Sequence, residues 1–223
     1  MPGRAWMSWS SGKDSALALH VARRELGLDV AGLLTTVNST ADRVAMHAVR
    51  RELLEQQAAA LDLPLHVVDL PWPCPNDVYE QQMTAAIATA RADDVTHMVF
   101  GDLFLEDIRA YREATLADTG MTPVFPLWGE PTDLLSRRML AAGIKAVLTC
   151  VDPRQAPAEL VGQWYDDNLL GRLPANVDPC GERGEFHTFV TDGPGFATPL
   201  EVRVGEVVER DGFVFADVLP IRR

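Results

Sequence analysis

The stretch Ser8-Trp9-Ser10-Ser11-Gly12-Lys13-Asp14-Ser15 concentrates the groups that grip a phosphate. It follows a short apolar run at 5–9 and precedes a helical pattern over 14–26, where Leu17 and Val21 share a stripe and Arg24 lies on a charged face. Backbone N–H groups at a helix start, with the positive end of its dipole, favour an anion. Small residues let the backbone wrap closely around it. Lys13 supplies a point charge, and the hydroxyls of Ser10, Ser11 and Ser15 can donate to phosphate oxygens. Asp14 would repel a phosphate unless Mg²⁺ sat between them. Asp14 is therefore the expected Mg²⁺ ligand, with a plain dipole-complementing acid as the competing reading. Lys13 is expected at the surface of the site, where its charge would stabilise negative charge on the phosphate. The segment is not a Walker A loop, because Met7 stands where the first glycine is needed and Asp14 follows the lysine.

Other candidate groups lie far along the chain. Gly101-Asp102 closes an apolar run at 96–100, where Asp102 could bind Mg²⁺, orient an amine or simply make a turn. Glu182 and Glu185 stand on either side of Gly184 and could bind a cation or accept a proton. A solvated acidic turn is the alternative for that pair. Trp72 and Trp128 are candidates for a pocket wall or for the core. Cys74, Cys150 and Cys180 are few, odd in number and widely spaced, which argues against a disulfide framework or a zinc site.

These groups need a scaffold. Strand-like runs at 5–9, 30–37, 64–70, 96–100 and 145–151 alternate with helical patterns at 14–26, 43–61, 78–93, up to about 119, and 131–142. That alternation predicts an open α/β fold, a parallel sheet with helices on both faces. Ligands then bind outside the C-terminal ends of the strands. Beyond Asp152 glycine and proline become frequent, and short strands are expected at 185–190, 200–204 and 213–219. A ligand-binding α/β domain over 1–128 and a smaller α+β substrate portion over 129–223 are expected.

The 223 residues carry 20 basic and 32 acidic side chains, 20 − 32 = −12. A positive field is what nucleic acid and anionic membrane require, so neither is the expected partner. No run approaches the roughly 18 apolar residues needed to span a bilayer. A soluble, cytoplasmic protein is expected.

The hexapeptide Ser10-Ser11-Gly12-Lys13-Asp14-Ser15 resembles the SGGKDS signature of the PP-loop, or N-type ATP pyrophosphatase, superfamily, whose nucleotide domain has the HUP fold. It departs at Ser11, where the signature has glycine. Serine takes φ > 0 less cheaply, so a different local turn is expected there. Gly101-Asp102, then Pro126-Leu127-Trp128, then Gly181-Glu182-Arg183-Gly184-Glu185-Phe186-His187-Thr188 resemble, in this order, segments of the diphthine–ammonia ligase family.

That resemblance implies cleavage of ATP between the α and β phosphates. An acceptor carboxylate is adenylated, pyrophosphate leaves, and ammonia or another amine displaces AMP to form an amide. It implies ATP contacts at Ser10, Ser11, Gly12, Lys13, Asp14, Ser15 and Gly101. It places the adenine at Thr35, Thr36 and Val37, with His47 facing the nucleotide. Lys13, Asp14, Asp102, Glu182 and Glu185 are the implied catalytic set. The acceptor is left open between the diphthine side chain of an elongation factor and another carboxylate, and a homodimer is left open. Two alternatives share the first domain: a tRNA-modifying PP-loop enzyme, and an ATP- or AMP-binding module without turnover.

Overall fold

A computed structural model describes residues 3–44 and 48–221. Its first sheet is built on β1 (Arg4–Ser8), whose Ala5, Trp6 and Met7 are all buried, as a strand covered on both faces requires. β2 (Asp29–Asn38) and β5 (His97–Val99) flank it in parallel. β4 (Leu65–Leu70) extends the sheet beyond β2, and β6 (Thr122–Val124) extends it beyond β5. The spatial order β4-β2-β1-β5-β6 reverses direction between β1 and β5, which opens a crevice at their C-terminal ends.

The sheet is not purely parallel. β3 (Arg43–Val44) turns back antiparallel onto Val37 and Asn38, past the point where β1 ends. This also shortens the second helix, expected over 43–61, to α2 (Arg51–Ala60). Asp42 and Ala48 both take left-handed backbone, at φ 52, which a right-handed helix cannot absorb.

Helices cover both faces. Ala5, Met7 and Leu33 point toward α1 (Lys13–Arg24) and α2, packing with Leu17, Val21, Leu53 and Leu54. Trp6 and Leu34, one residue out of phase, point to the other face. There α3 (Asn76–Ala92) and α4 (Glu106–Leu116) bring Ile87, Ala90 and Leu116. Among the described residues no helix is long and apolar enough to cross a membrane.

After α5 (Thr132–Ala141), β7 (Lys145–Val151) does not join the first sheet. It lies inside a second, antiparallel sheet with β8 (Phe186–Asp192), β9 (Val202–Arg210) and β10 (Phe213–Pro220), in the order β8-β7-β10-β9. Six of its seven residues are buried. A continuous apolar strand records burial on both faces and not the direction of its neighbours. Between β7 and β8 the chain makes a 3-10 turn at Ala158–Leu160 and a short helix α6 (Asp167–Leu170), capped by the Asp166 carboxylate on the Leu169 N–H.

The two sheets share one core, which runs from Met7 and Leu17 to Val147, Phe186 and Phe189. The edge strand β8 is also hydrogen-bonded to the loop after β1. Val190 N donates to Ser11 O at 2.9 Å, and Lys13 N donates to Thr188 Oγ1 at 3.1 Å. At the far side Asp217 of β10 accepts from Arg43 and Arg50. The C-terminal portion is therefore seated on the first.

Candidate active site

The turn between β1 and α1 is held from behind. Gln57, wholly buried on α2, accepts from the Trp9 indole at 2.9 Å and donates to Ser11 O at 3.1 Å and to Val190 O at 2.6 Å. One side chain thus ties the loop, its helix neighbour and β8 together. Ser11 itself takes the left-handed conformation, φ 68, that was expected to be avoided there. Its side chain is fully buried and Oγ has no hydrogen-bond partner. Ser15 Oγ closes the turn on Gly12 O at 2.8 Å, and Ser10 Oγ donates to Ser15 Oγ at 3.2 Å.

A cavity of about 480 Å³ opens in front of this turn, at the C-terminal ends of β1, β2 and β5. Ser10, Lys13, Asp14 and Ser15 form its floor, and Thr35 and Thr36 one wall. Gly101 and Asp102 form another, and Glu182 enters from the C-terminal portion. Gly101 allows this closeness: a Cβ there would lie 3.0 Å from Ser15 N and 3.1 Å from the Asp14 carbonyl carbon. Gly181, at φ 70, is likewise required, since a Cβ would fall 2.7 Å from Phe186 O.

Four expected site residues stand back from the cavity. Ser11 and Gly12 form the turn behind it, and Val37 is packed in the core. Glu185 is buried, with Oε1 accepting from Asp178 N at 3.0 Å and Oε2 from Arg183 N at 2.9 Å. It shapes the loop that carries Glu182. His47 lies outside the described residues.

Lys13 is not at the surface. Its side chain is 2 % exposed, and Nζ donates to both Asp14 oxygens, at 3.1 and 3.0 Å, and to the Cys180 carbonyl. The Tyr165 and Phe186 rings lie 5.4 and 5.3 Å from it. Burial pulls the lysine's pKa down, but Asp14 and the other negative groups around it more than reverse this, so the ammonium stays charged. Burial raises the Asp14 carboxyl in turn, against the pull of Lys13.

The other carboxyls on the cavity also titrate high. Burial pushes Glu182 up to about 7, opposed by the hydrogen bond it accepts from Leu103 N at 2.7 Å and reinforced by Asp14 and Asp102. Burial raises Asp102 too, against Arg112, whose Nε is 3.9 Å away. A carboxyl poised as Glu182 is suits proton transfer near neutral pH.

Two family models cover most of the chain: Diphthamide synthase N-terminal domain over residues 3–123, and Diphthamide synthase C-terminal domain over 132–219. The chain belongs to the diphthamide synthase family. It carries that family's PP-loop in a HUP-like first sheet. The diphthine–ammonia ligases of Rattus norvegicus, Mus musculus and Homo sapiens are each 25% identical to it over 154 residues. The match covers 67% of this chain and 58% of each relative, so the chain spans less than two thirds of their length.

For a diphthamide synthase family member the donor set bears on the metal. Among the described residues no group of three or more His, Cys, Asp or Glu side chains is close enough to hold an ion alone. Mg²⁺ in nucleotide sites takes one or two carboxylates and completes its shell with phosphates and water. Asp14, 26 % exposed on the cavity floor, fits that use.

Two residues of the site had been given no role. Arg112 on α4 lines the cavity, and its charge opposes the upward shift of Asp102. Gln57 was legible only as a polar residue among Leu53, Leu54 and Ala58 on the buried face of α2. That is the available signal for a side chain with buried partners.

Proposed function

We propose that this chain is an ATP-dependent, AMP-forming ligase of the diphthine–ammonia ligase type, working in the cavity between the two sheets. The reading rests on one observation above the others. The loop of the PP-loop pattern, the end of β2 and the Gly101-Asp102 turn face a single cavity that Glu182 completes from the C-terminal portion. Residues 1–128 then bind the nucleotide and 129–223 close over the acceptor. A cytoplasmic location goes with the use of ATP.

In this reading ATP lies with adenine toward Thr35 and Thr36 and its phosphates over the start of α1. The acceptor carboxylate attacks the α-phosphorus, forming an acyl-adenylate and releasing pyrophosphate. An amine then attacks the acyl carbon and AMP leaves. Lys13 holds positive charge beside the phosphates, and Ser10 and Ser15 donate to them. Asp14 would hold Mg²⁺, which supplies charge neutralisation on the phosphates when bound. Glu182, ionised above about pH 7, takes the proton from the attacking amine. Asp102 orients that amine, and Glu185 keeps Glu182 in place through the loop. Holding ATP and acceptor in line supplies much of the remaining acceleration.

The test is nucleotide analysis after incubating the chain with ATP, Mg²⁺, ammonium and elongation factor carrying diphthine, with other carboxylates in parallel. AMP and pyrophosphate are the expected products. ADP and phosphate would overturn the reaction class. A nucleotide-binding module without turnover is the second reading, favoured by the pairing of Lys13 with Asp14 and Cys180. It predicts bound nucleotide and no pyrophosphate with any acceptor.

A further inference from the structure

Beside the main cavity lies a small pocket of about 30 Å³, between α3, β5 and α4. Its wall is apolar, formed largely by Met83, Ile87, Met98, Phe100 and Leu116. Ser8, Leu34, Tyr79, Met83 and Arg112 border both spaces, so the pocket adjoins the cavity where β1 ends. Its volume holds one or two water-sized groups. A methyl or a short branched alkyl fits, and an adenine ring does not.

Arg112 stands on that border with unused capacity. Its Nε is buried and has no hydrogen-bond partner. Asp102 Oδ2, at 3.9 Å, is too far to accept from it. The guanidinium lies over the Phe100 ring, 5.1 Å from its centroid. A buried donor on a permanently charged group is costly to leave unmade. The planar fork of guanidinium matches a carboxylate through two parallel hydrogen bonds.

Resting on the ligase reading above, we infer that Arg112 and this pocket form the acceptor subsite, taking a carboxylate that carries a short, uncharged aliphatic branch. The branch fills the small apolar pocket while Arg112 orients the carboxylate toward the nucleotide. A phosphate chain has no such branch and has its own cradle at α1. A cationic group next to the carboxylate is disfavoured, because it would sit beside the guanidinium in apolar surroundings.

The experiment uses the full chain and defined probes: isovalerate, acetate, isovaleramide and isopentylamine, by saturation-transfer NMR and calorimetry. Each is titrated with and without α,β-methylene-ATP. Isovalerate is expected to bind more tightly than acetate, with the amide and the amine weaker than both. Arg112→Gln should weaken isovalerate by about 10- to 100-fold while α,β-methylene-ATP affinity stays within about twofold. Should the Gln variant fail to fold, Arg112→Lys, which keeps the charge and loses the fork, is expected to weaken isovalerate by about tenfold. Thr115→Leu, which fills the pocket from α4, should erase the preference for isovalerate over acetate. The inference is overturned if no carboxylate binds the wild type, if the amine binds as well as isovalerate, or if neither Arg112 variant alters carboxylate affinity. It is equally overturned if nucleotide affinity falls as far as carboxylate affinity, which would make Arg112 a phosphate ligand. Failure of the wild type to bind the nucleotide analogue would sink the ligase reading, while the nucleotide-free titrations still decide the subsite.

Discussion

The ammonium of Lys13 donates to the carbonyl oxygen of Cys180, 167 residues away in the chain. The residue that marks the phosphate loop in the sequence is thus also the tie between α1 and the C-terminal loop that carries Glu182. On the proposed reading, phosphate binding and closure of the cavity would be coupled through this one side chain.

Lys13→Ala should therefore cost stability as well as activity. It leaves the Asp14 carboxylate and the Cys180 carbonyl facing a void among Tyr165 and Phe186. Loss of a buried charged hydrogen-bond partner costs on the order of 2–3 kcal/mol. Urea denaturation checks this, with pyrophosphate release expected to be absent in the same variant. A surface lysine would leave the denaturation midpoint where it was.

Gln57→Leu should weaken both folding and nucleotide binding without touching the cavity. The indole N–H of Trp9 and the Val190 carbonyl lose the partner that Gln57 gives them. About 2–4 kcal/mol of destabilisation is expected from the stranded groups. Affinity for α,β-methylene-ATP should fall several-fold, because the turn loses its anchor at Ser11 O. Calorimetry and thermal melts read the two effects separately.

Ser11→Gly should stabilise the protein. Glycine adopts the left-handed conformation found at φ 68 without the Cβ clash, and it removes a buried hydroxyl that has no partner. Against this stand the greater freedom of glycine in the unfolded chain and the small void left behind. The net gain should be about 1 kcal/mol, read as a higher midpoint in urea.

Glu182 predicts a pH dependence with a definite sign. Its carboxyl titrates at about 7 when folded, against an ordinary value of 4.5. The folded state holds this proton more tightly than the unfolded one. The contribution is full below about pH 4.5, and stability declines as pH rises toward 7. Glu182→Gln, whose amide oxygen can still accept from Leu103 N, should remove that decline. On the proposed ligase reading the ionised form takes the amine's proton, so the rate should rise through pH 7 in the wild type and lose this limb in the Gln variant.

Much of the first sheet was legible because its signals are local. The strands at 5–9, 30–37 and 64–70 announced themselves through apolar runs, and the helices through their stripes. β3 was not, because two residues pairing backwards on Asn38 leave no periodicity to read. β7 was found as a strand but given to the wrong sheet, since burial on both faces is the same in either. Within the site, Lys13, Asp14 and Asp102 could be picked out by type and position. Glu185 could not be told from Glu182, three residues apart on one loop, because only the folded backbone decides which carboxylate turns inward to Asp178 N and Arg183 N.

The sequence by itself determined the elements, the phosphate loop and the ordered set of segments that place the chain in its family. Those follow from spacing along the chain and from side-chain chemistry, which need no partner to be read. The tertiary structure decided that Lys13 is buried, that Gln57 braces the loop, and that Glu182 meets Asp14 and Asp102 across one cavity. These facts depend on which distant groups share a low-dielectric space, and that is set only when β8 docks against the turn after β1.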